Sequence, residues 1–311
     1  MASSRTWSRC RIRCATTSDA GPPDVCLIGW AWRPGAAVPL WIAANRDEAW
    51  DRPAAPLAPW HLPDGTEVLS GRDRLAGGAW LAFGSGGRLA MLTNVRADPQ
   101  PSVPGARSRG HLVADWLSAA ARDLGWREWL RRHPAAAYGG CNLVLVDLAT
   151  AQWRWLSNVD PRGHDPRWRE RELQCVDGWW GVDVPDGVHA LSNAALDTPW
   201  PKTQALAAVL DDEALLASGR QLAEQALLTA LQQPVTVQDD ADAERALQRR
   251  PWVCWPARRY GTRSSLIAWL DSAGTLHAAE WTYAPGLGPD GIPHASVRRR
   301  SIHWCGMPTS S

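Results

Sequence analysis

The sequence predicts an α+β fold of layered, mainly antiparallel strands with helices set between them, and three observations carry that reading. Short apolar runs recur along the chain, two pairs of them are joined by glycine-bearing connections of hairpin length, and only two long stretches show helical character. A doubly wound fold would instead alternate each strand with a helix. No internal repeat and no interior linker divides the chain, so residues 25–311 read as a single domain.

In chain order, the first strand covers residues 25–32 and the second 38–45, separated by Arg33-Pro34-Gly35-Ala36-Ala37, a Pro-Gly turn. The second ends on Leu40-Trp41-Ile42-Ala43-Ala44, almost wholly apolar, as in a strand buried on both faces. Residues 78–83 and 88–94 form another hairpin across Gly84-Ser85-Gly86-Gly87. Further strands are expected at 142–148, 152–156, 188–191, 264–271 and 275–281. One helix is expected over 110–121, where Leu112, Asp115-Trp116 and Ala119 follow a helical stripe. A second is expected over 211–231, opening on acidic residues that suit a helix N-terminus. The proline-rich stretch 98–104 reads as a surface loop.

Composition narrows the function classes. The 311 residues are 45% hydrophobic and carry a net charge of +1, so no broad field recommends nucleic acid or an anionic membrane as a partner. No apolar segment approaches the ~20 residues that cross a bilayer, which leaves a chain without a transmembrane segment and the cytoplasm as default location. The seven cysteines, Cys10, Cys14, Cys26, Cys141, Cys175, Cys254 and Cys305, form neither a disulfide framework nor a CxxC metal pair. No resident cofactor or metal is implied, and the partner expected is a small-molecule ligand or substrate. Tryptophan is abundant, at 21 against 3 Tyr and 1 Phe, and Lys202 is the only lysine. High-GC coding explains both biases better than separate functions would, with Trp filling places where Phe or Tyr would otherwise be buried.

The most informative stretch is residues 43–53, AANRDEAWDRP, in which an apolar run ends in Asn45-Arg46-Asp47-Glu48. Such a cluster is expected where the strand leaves the sheet, because Pro53 and Pro56 cannot continue a ladder. Arg46 could simply pair with Asp47 or Glu48 there; alternatively the cluster lines a site. Five further segments keep it company: LAGGAWLAF at 75–83, LAMLTNVR at 89–96, SRGHLV at 108–113, VHALSNAALDTPW at 188–200 and YGTRSS at 260–265. Together these six ordered motifs resemble the NRDE family, whose animal members are called transport and Golgi organisation proteins, from residue 25 to about 280.

That resemblance implies a relative of the N-terminal-nucleophile hydrolases, with two antiparallel sheets stacked between helical layers. The family typically begins Met-Cys, and here Val25-Cys26 stands at that point, where a GTG codon can serve as a start. Residues 1–24 are therefore expected to be a mis-called start or a disordered extension. With the initiator removed, Cys26 would carry a thiol and a free α-amine, whose pKa near 7.7–8.0 lets it act as base for that thiol. Cys26 could equally be a small hydrophobe opening a buried strand. By the same likeness Arg46 and Asp47 flank the nucleophile, while Asn94 and Asn193 donate to the oxyanion, a role worth about 3 kcal/mol of barrier each. Asparagine at a strand end also commonly closes a turn through its own side chain. Asn45, Glu48 and Arg263 are expected to bind substrate, Arg263 either by gripping a carboxylate or phosphate bidentately or by buttressing Asp47. The function implied is an amide or thioester hydrolase. The alternative is a non-catalytic carrier of haem or lipid ligands, for which His111 and His189 are the histidines within family-like segments.

Overall fold

The computed structural model describes residues 26–95, 107–163, 165–237, 243–285 and 295–303. The expectations for residues 1–25, for the loop 98–104, and for Cys10, Cys14 and Cys305 lie outside the described residues. Among those described, the strands are β1 (Cys26–Trp32), β2 (Leu40–Ala49), β3 (Ala54–His61), β4 (Glu67–Asp73), β5 (Leu81–Gly84), β6 (Arg88–Asn94), β7 (Cys141–Asp147), β8 (Gln152–Ser157), β9 (Gln174–Val176), β10 (Trp179–Asp183), β11 (Gly187–Leu191), β12 (Pro234–Thr236), β13 (Trp252–Trp255), β14 (Tyr260–Leu270), β15 (Thr275–Tyr283) and β16 (Ala295–His303). The helices are α1 (Arg109–Leu117), α2 (Ala119–Arg122), α3 (Trp126–Arg132), α4 (Pro201–Asp211), α5 (Glu213–Ala217), α6 (Arg220–Leu231) and α7 (Ala243–Arg249).

Two eight-stranded sheets result. One runs β11-β1-β2-β14-β13-β12, with β15 beside β14 and β16 beside β15; the other runs β3-β4-β5-β6-β7-β8-β10-β9. Every pairing is antiparallel except β12 with β13. Between the sheets lies a core that includes Ile28, Trp30, Ile42, Ala44, Phe83, Met91 and Trp155. Leu27, Trp41 and Ala43, on the opposite face of the first sheet, pack with Leu206, Leu210 and Leu227 of α4 and α6. The second sheet's outer face packs on α1 and α3 through Leu112, Trp116 and Trp129. The chain is thus a helix–sheet–sheet–helix stack of the α+β class, as expected.

Strand parity decides what each polar side chain faces, because alternate residues point to opposite sides of a sheet. Cys26 is in phase with Ile28, and Arg46 and Glu48 are in phase with Ala44, so all three belong to the inter-sheet side. Asn45 and Asp47 belong to the helix side.

Several elements differ from expectation for identifiable reasons. The second strand does not end at residue 45: β2 continues through the polar cluster to Ala49, because β14 stays paired with it, across one irregularity, as far as Tyr260 opposite Ala49. Asn45-Arg46-Asp47-Glu48 therefore sits within the sheet rather than where the strand leaves it. Pro56 does not end pairing either, since β3 accommodates it at an irregularity between Ala55 and Ala58. The helix expected over 110–121 breaks at Ser118, which is extended; the one over 211–231 is interrupted twice, at Asp212, where α4 ends and α5 begins, and at Gly219, where φ is +137° and glycine alone is comfortable. Tryptophan behaves as a bulky hydrophobe: Trp30 stacks on Trp153 with centroids 5.8 Å apart, and both buried indole nitrogens lack a partner.

Candidate functional site

The sheet register assembles the site. Cys26 stands opposite Arg46 across the β1–β2 pair, so the next residue of β2, Asp47, lies just past the Cys26 end of β1. A cavity of about 260 Å³ opens there between the sheets, lined by Cys26, Arg46, Asp47, Glu48, Asn94 and Arg263 together with residues of β3, β4, β14, β15 and β16. Cys26 is 6% exposed. Its carbonyl oxygen accepts a 2.6 Å hydrogen bond from Ser192 Oγ, which ties the start of β1 to the segment after β11.

One wall is a ladder of charge. Arg46 reaches Glu48 at 3.4 Å, Glu48 reaches Arg52 at 3.5 Å, and Arg52 reaches Asp73 of β4 at 2.8 Å. Opposite, Arg263 is thrown out of register by an irregularity of β14 between Thr262 and Ser264, a local device for re-aiming a side chain. Its Nη1 donates to the carbonyls of Ala49 and Trp50, at 3.0 and 2.5 Å, while its buried Nε has no partner. Burial, then the neighbouring Arg46, lower its pKa. Glu280 of β15 closes the floor, accepting from the Leu57 amide at 2.6 Å, and burial raises its pKa against that bond.

Asp47 is the most perturbed acid of the group. It is 2% exposed, and its Oδ1 accepts a 2.5 Å hydrogen bond from Thr262 Oγ1 while Oδ2 has no donor. Burial pushes its pKa up to about 7, against the opposing pull of the Lys202 ammonium, the Thr262 hydroxyl and Arg46.

The asparagines divide. Asn94 lines the cavity with its Oδ1 buried and unpartnered, whereas Asn193 lies behind it, its Nδ2 donating to the Asn94 carbonyl at 2.8 Å. The LTN and LSN segments thus meet, but Asn193 is outside the cavity lining. Asn45, expected among the substrate-binding residues, is not part of the cavity lining. Fully buried on the helix side, it donates to the carbonyls of Leu231 and Pro251, each at 2.9 Å, and accepts from Ser265 Oγ at 2.6 Å. Those bonds tie β2 to the end of α6 and leave Asn45 outside the cavity lining. Arg263 does not buttress Asp47; Thr262 does.

A family model described as Transport and Golgi organisation 2 matches residues 25–285. The chain belongs to that family. Among relatives, the Transport and Golgi organization protein 2 homolog of Bos taurus is 32% identical over 82% of this chain and 92% of its own length. The Homo sapiens homolog is 30% identical with the same coverage. Two solved structures are more distantly similar. A Caenorhabditis elegans N-acylethanolamine-hydrolyzing acid amidase ortholog has a TM-score of 0.40 and 10% identity, covering 78% of this chain and 92% of its own. A mutant conjugated bile acid hydrolase from Clostridium perfringens has a TM-score of 0.42 and 8% identity, covering 90% and 98%. Similarity at that level speaks for neither substrate nor mechanism.

For this member of the Transport and Golgi organisation 2 family, several residues at the site escaped sequence reasoning. Asn142 of β7 donates to the carbonyls of Ser192 and Ala194, at 3.2 and 2.7 Å, and to Thr93 Oγ1 at 3.1 Å, so it clasps the two sheets together behind Asn94. Thr262 and Glu280 sit in strand contexts that read as ordinary sheet. The family motifs at 75–83 and 108–113 meet where Gly78 touches Gly110; a Cβ on Gly78 would lie 2.4 Å from the Gly110 carbonyl carbon, so only glycine permits this wall of the cavity. As for haem, His189 has both ring nitrogens engaged, with Asp197 at 2.8 Å and the Pro185 carbonyl at 3.0 Å, and His111 Nε2 lies 2.7 Å from the Ala76 carbonyl. Among the described residues no group of three His, Cys, Asp or Glu side chains could hold a metal, and no helix is long and apolar enough to cross a membrane.

Proposed function

We propose that this protein hydrolyses an amide or thioester, with Cys26 acting as an N-terminal nucleophile once the residues before it are absent. The observation that carries this reading is where unsatisfied polarity collects. Apart from indole nitrogens, seven buried side-chain N or O atoms lack a partner among the described residues. Four of them, Asp47 Oδ2, Asn94 Oδ1, Arg263 Nε and Thr282 Oγ1, belong to residues lining the Cys26 cavity. Each such atom costs ~1–3 kcal/mol in a folded interior, a cost understandable where a polar substrate supplies the partner.

In the proposed reaction the α-amine of Cys26 takes the thiol proton, and the sulfur forms a bond to the substrate carbonyl carbon. The carbonyl oxygen receives the displaced electron pair, with the Asn94 amide as its candidate donor. Collapse of this intermediate breaks the C–N or C–S bond, and the leaving amine or thiol takes the proton back from the α-ammonium. Water then cleaves the acyl–sulfur bond. The β1–β2 register supports a part for Asp47, since an α-ammonium on Cys26 would lie on the Asp47 side of the pair. Arg46 offsets the charge of Glu48 and Glu280 beside the sulfur.

The test is hydrolysis of acyl thioesters and acyl p-nitroanilides by protein whose mass shows Cys26 at its N-terminus. Cys26→Ala is expected to abolish turnover while leaving the fold intact; turnover that survives Cys26→Ala refutes the reading.

A further inference from the structure

Lysine ordinarily keeps its ammonium in water, and the one lysine of this chain does not. Lys202 is 1% exposed, at the second position of α4. One turn further along, Leu206 and Leu210 press against Gly29 of β1, so the start of α4 is held against the helix-side face of the strand that begins at Cys26. Among the described residues, Lys202 Nζ has no hydrogen-bond partner; the Trp200 ring lies 5.5 Å away. On the same side of the sheet, Asp47 Oδ2 is also buried and unpartnered. Two buried groups of opposite charge type, each with an unsatisfied atom, therefore lie on the same side of the sheet, near enough to act on one another electrostatically.

We propose that Lys202 is a positioning residue for this site: its buried ammonium keeps Asp47 ionised beside Cys26. A carboxylate taken out of water without a compensating cation takes up a proton instead, and a protonated Asp47 would offer no anion to an α-ammonium on Cys26. The titratable groups that act on Lys202 are Asp47 and Cys26, and the charged groups that act on Asp47 are Lys202, Arg46 and Glu48. Among the described residues, the charged side chains on the other elements packed against α4 are engaged elsewhere or exposed. Glu224 of α6 pairs with Arg299, His189 of β11 with Asp197, and Glu213 of α5 with Arg33, while Arg245 and Arg249 of α7 are exposed. Burial pushes the Lys202 amine down and the Asp47 carboxyl up, and their mutual attraction opposes both shifts. The consequence for turnover rests on the hydrolase reading; the coupling between the two charges does not.

A single lysine makes the test direct. Protein carrying [13Cε]lysine gives one side-chain resonance, which is expected to titrate below the ordinary lysine range and to move at least one pH unit lower in Asp47→Asn, where the stabilising anion is gone. An unchanged titration in Asp47→Asn overturns the proposal. In the hydrolysis assay, Lys202→Met is expected to move the acidic limb of the kcat/KM profile up by at least one pH unit, a tenfold loss of ionised Asp47. Lys202→Arg, which keeps the cation, is expected to return it toward the wild-type position. An acidic limb unmoved in Lys202→Met also overturns the proposal. If the resonance responds to Asp47→Asn while no hydrolysis is found, the charge coupling stands and the hydrolase reading falls. Should Lys202→Met fail to fold, the resonance measured in Asp47→Asn decides alone.

Discussion

Replacing Thr262 by valine removes two hydrogen bonds at nearly constant volume, and the two losses respond differently to pH. Thr262 Oγ1 donates to Asp47 Oδ1 at 2.5 Å and accepts from the Val253 amide at 2.8 Å. Losing the acceptor strands a buried N–H and costs ~1–3 kcal/mol at any pH. Losing the donor matters chiefly when Asp47 is ionised, because its Oδ2 already lacks a partner. A hydrogen bond to a charged group contributes ~1.5–3 kcal/mol, which at ~1.4 kcal/mol per pH unit is a further rise of ~1–2 units above the present value of about 7. Thr262→Val should therefore be destabilised by ~1–3 kcal/mol at pH 5, where Asp47 is protonated in both proteins, and by ~1–2 kcal/mol more at pH 8.5. Urea unfolding at the two pH values measures the difference, and Thr262→Ser, which retains the hydroxyl, should show little of it. Equal destabilisation at both pH values would refute the claim that Thr262 holds an ionisable Asp47.

Other perturbations probe neighbouring links. Because the folded state holds the Asp47 proton more tightly than the unfolded chain, its contribution to stability is complete below about 3.8 and is lost as the pH climbs to about 7. Asp47→Asn should flatten that part of the stability profile. The lowered Lys202 amine acts in the opposite sense, contributing fully above about 10.5 and losing its contribution as the pH falls to about 8. Lys202→Met should flatten the alkaline segment in the same urea titrations. Asn142→Ala should cost ~1–3 kcal/mol, because its two amide protons serve three acceptors at a buried seam; a loss under ~1 kcal/mol in denaturant unfolding would show that the clasp is replaceable. Gly78→Ala should lower the Tm and loosen the cavity wall, since the intruding methyl meets backbone rather than a mobile side chain; an unchanged Tm would contradict the close approach to Gly110.

Much of the sheet framework was legible because its strands obey simple patterns. β1, β6, β7 and β8 are apolar runs punctuated by glycine or proline, and their bounds fall within two residues of expectation. What escaped notice follows from physics that the local pattern does not carry. The stretch from Asn45 to Glu48 reads as a strand end because four polar residues break apolar periodicity, yet β14 keeps it paired, and its two faces open on a cavity and a helix layer. β16 escaped because Arg298, Arg299 and Arg300 make it look like solvated loop, as charged edge strands do. α4 was overlooked although Pro201 at its first position is a recognised helix opening. Of the site, the cavity-lining Cys26, Arg46, Asp47, Glu48, Asn94 and Arg263 were visible through motif order. Lys202 and Thr262 were not, because a helical lysine and a strand threonine are unremarkable until burial and orphaned partners are known.

The central claim concerns the sulfur of Cys26. Protein beginning at Cys26, mixed with an excess of acyl thioester and quenched in acid within the first turnover, should gain the mass of one acyl group. Peptide mapping should place that group on Cys26 rather than on Cys141, Cys175, Cys254 or Cys305. An acyl group found on another residue, or turnover with Cys26 unmodified at every quench time, would contradict the account.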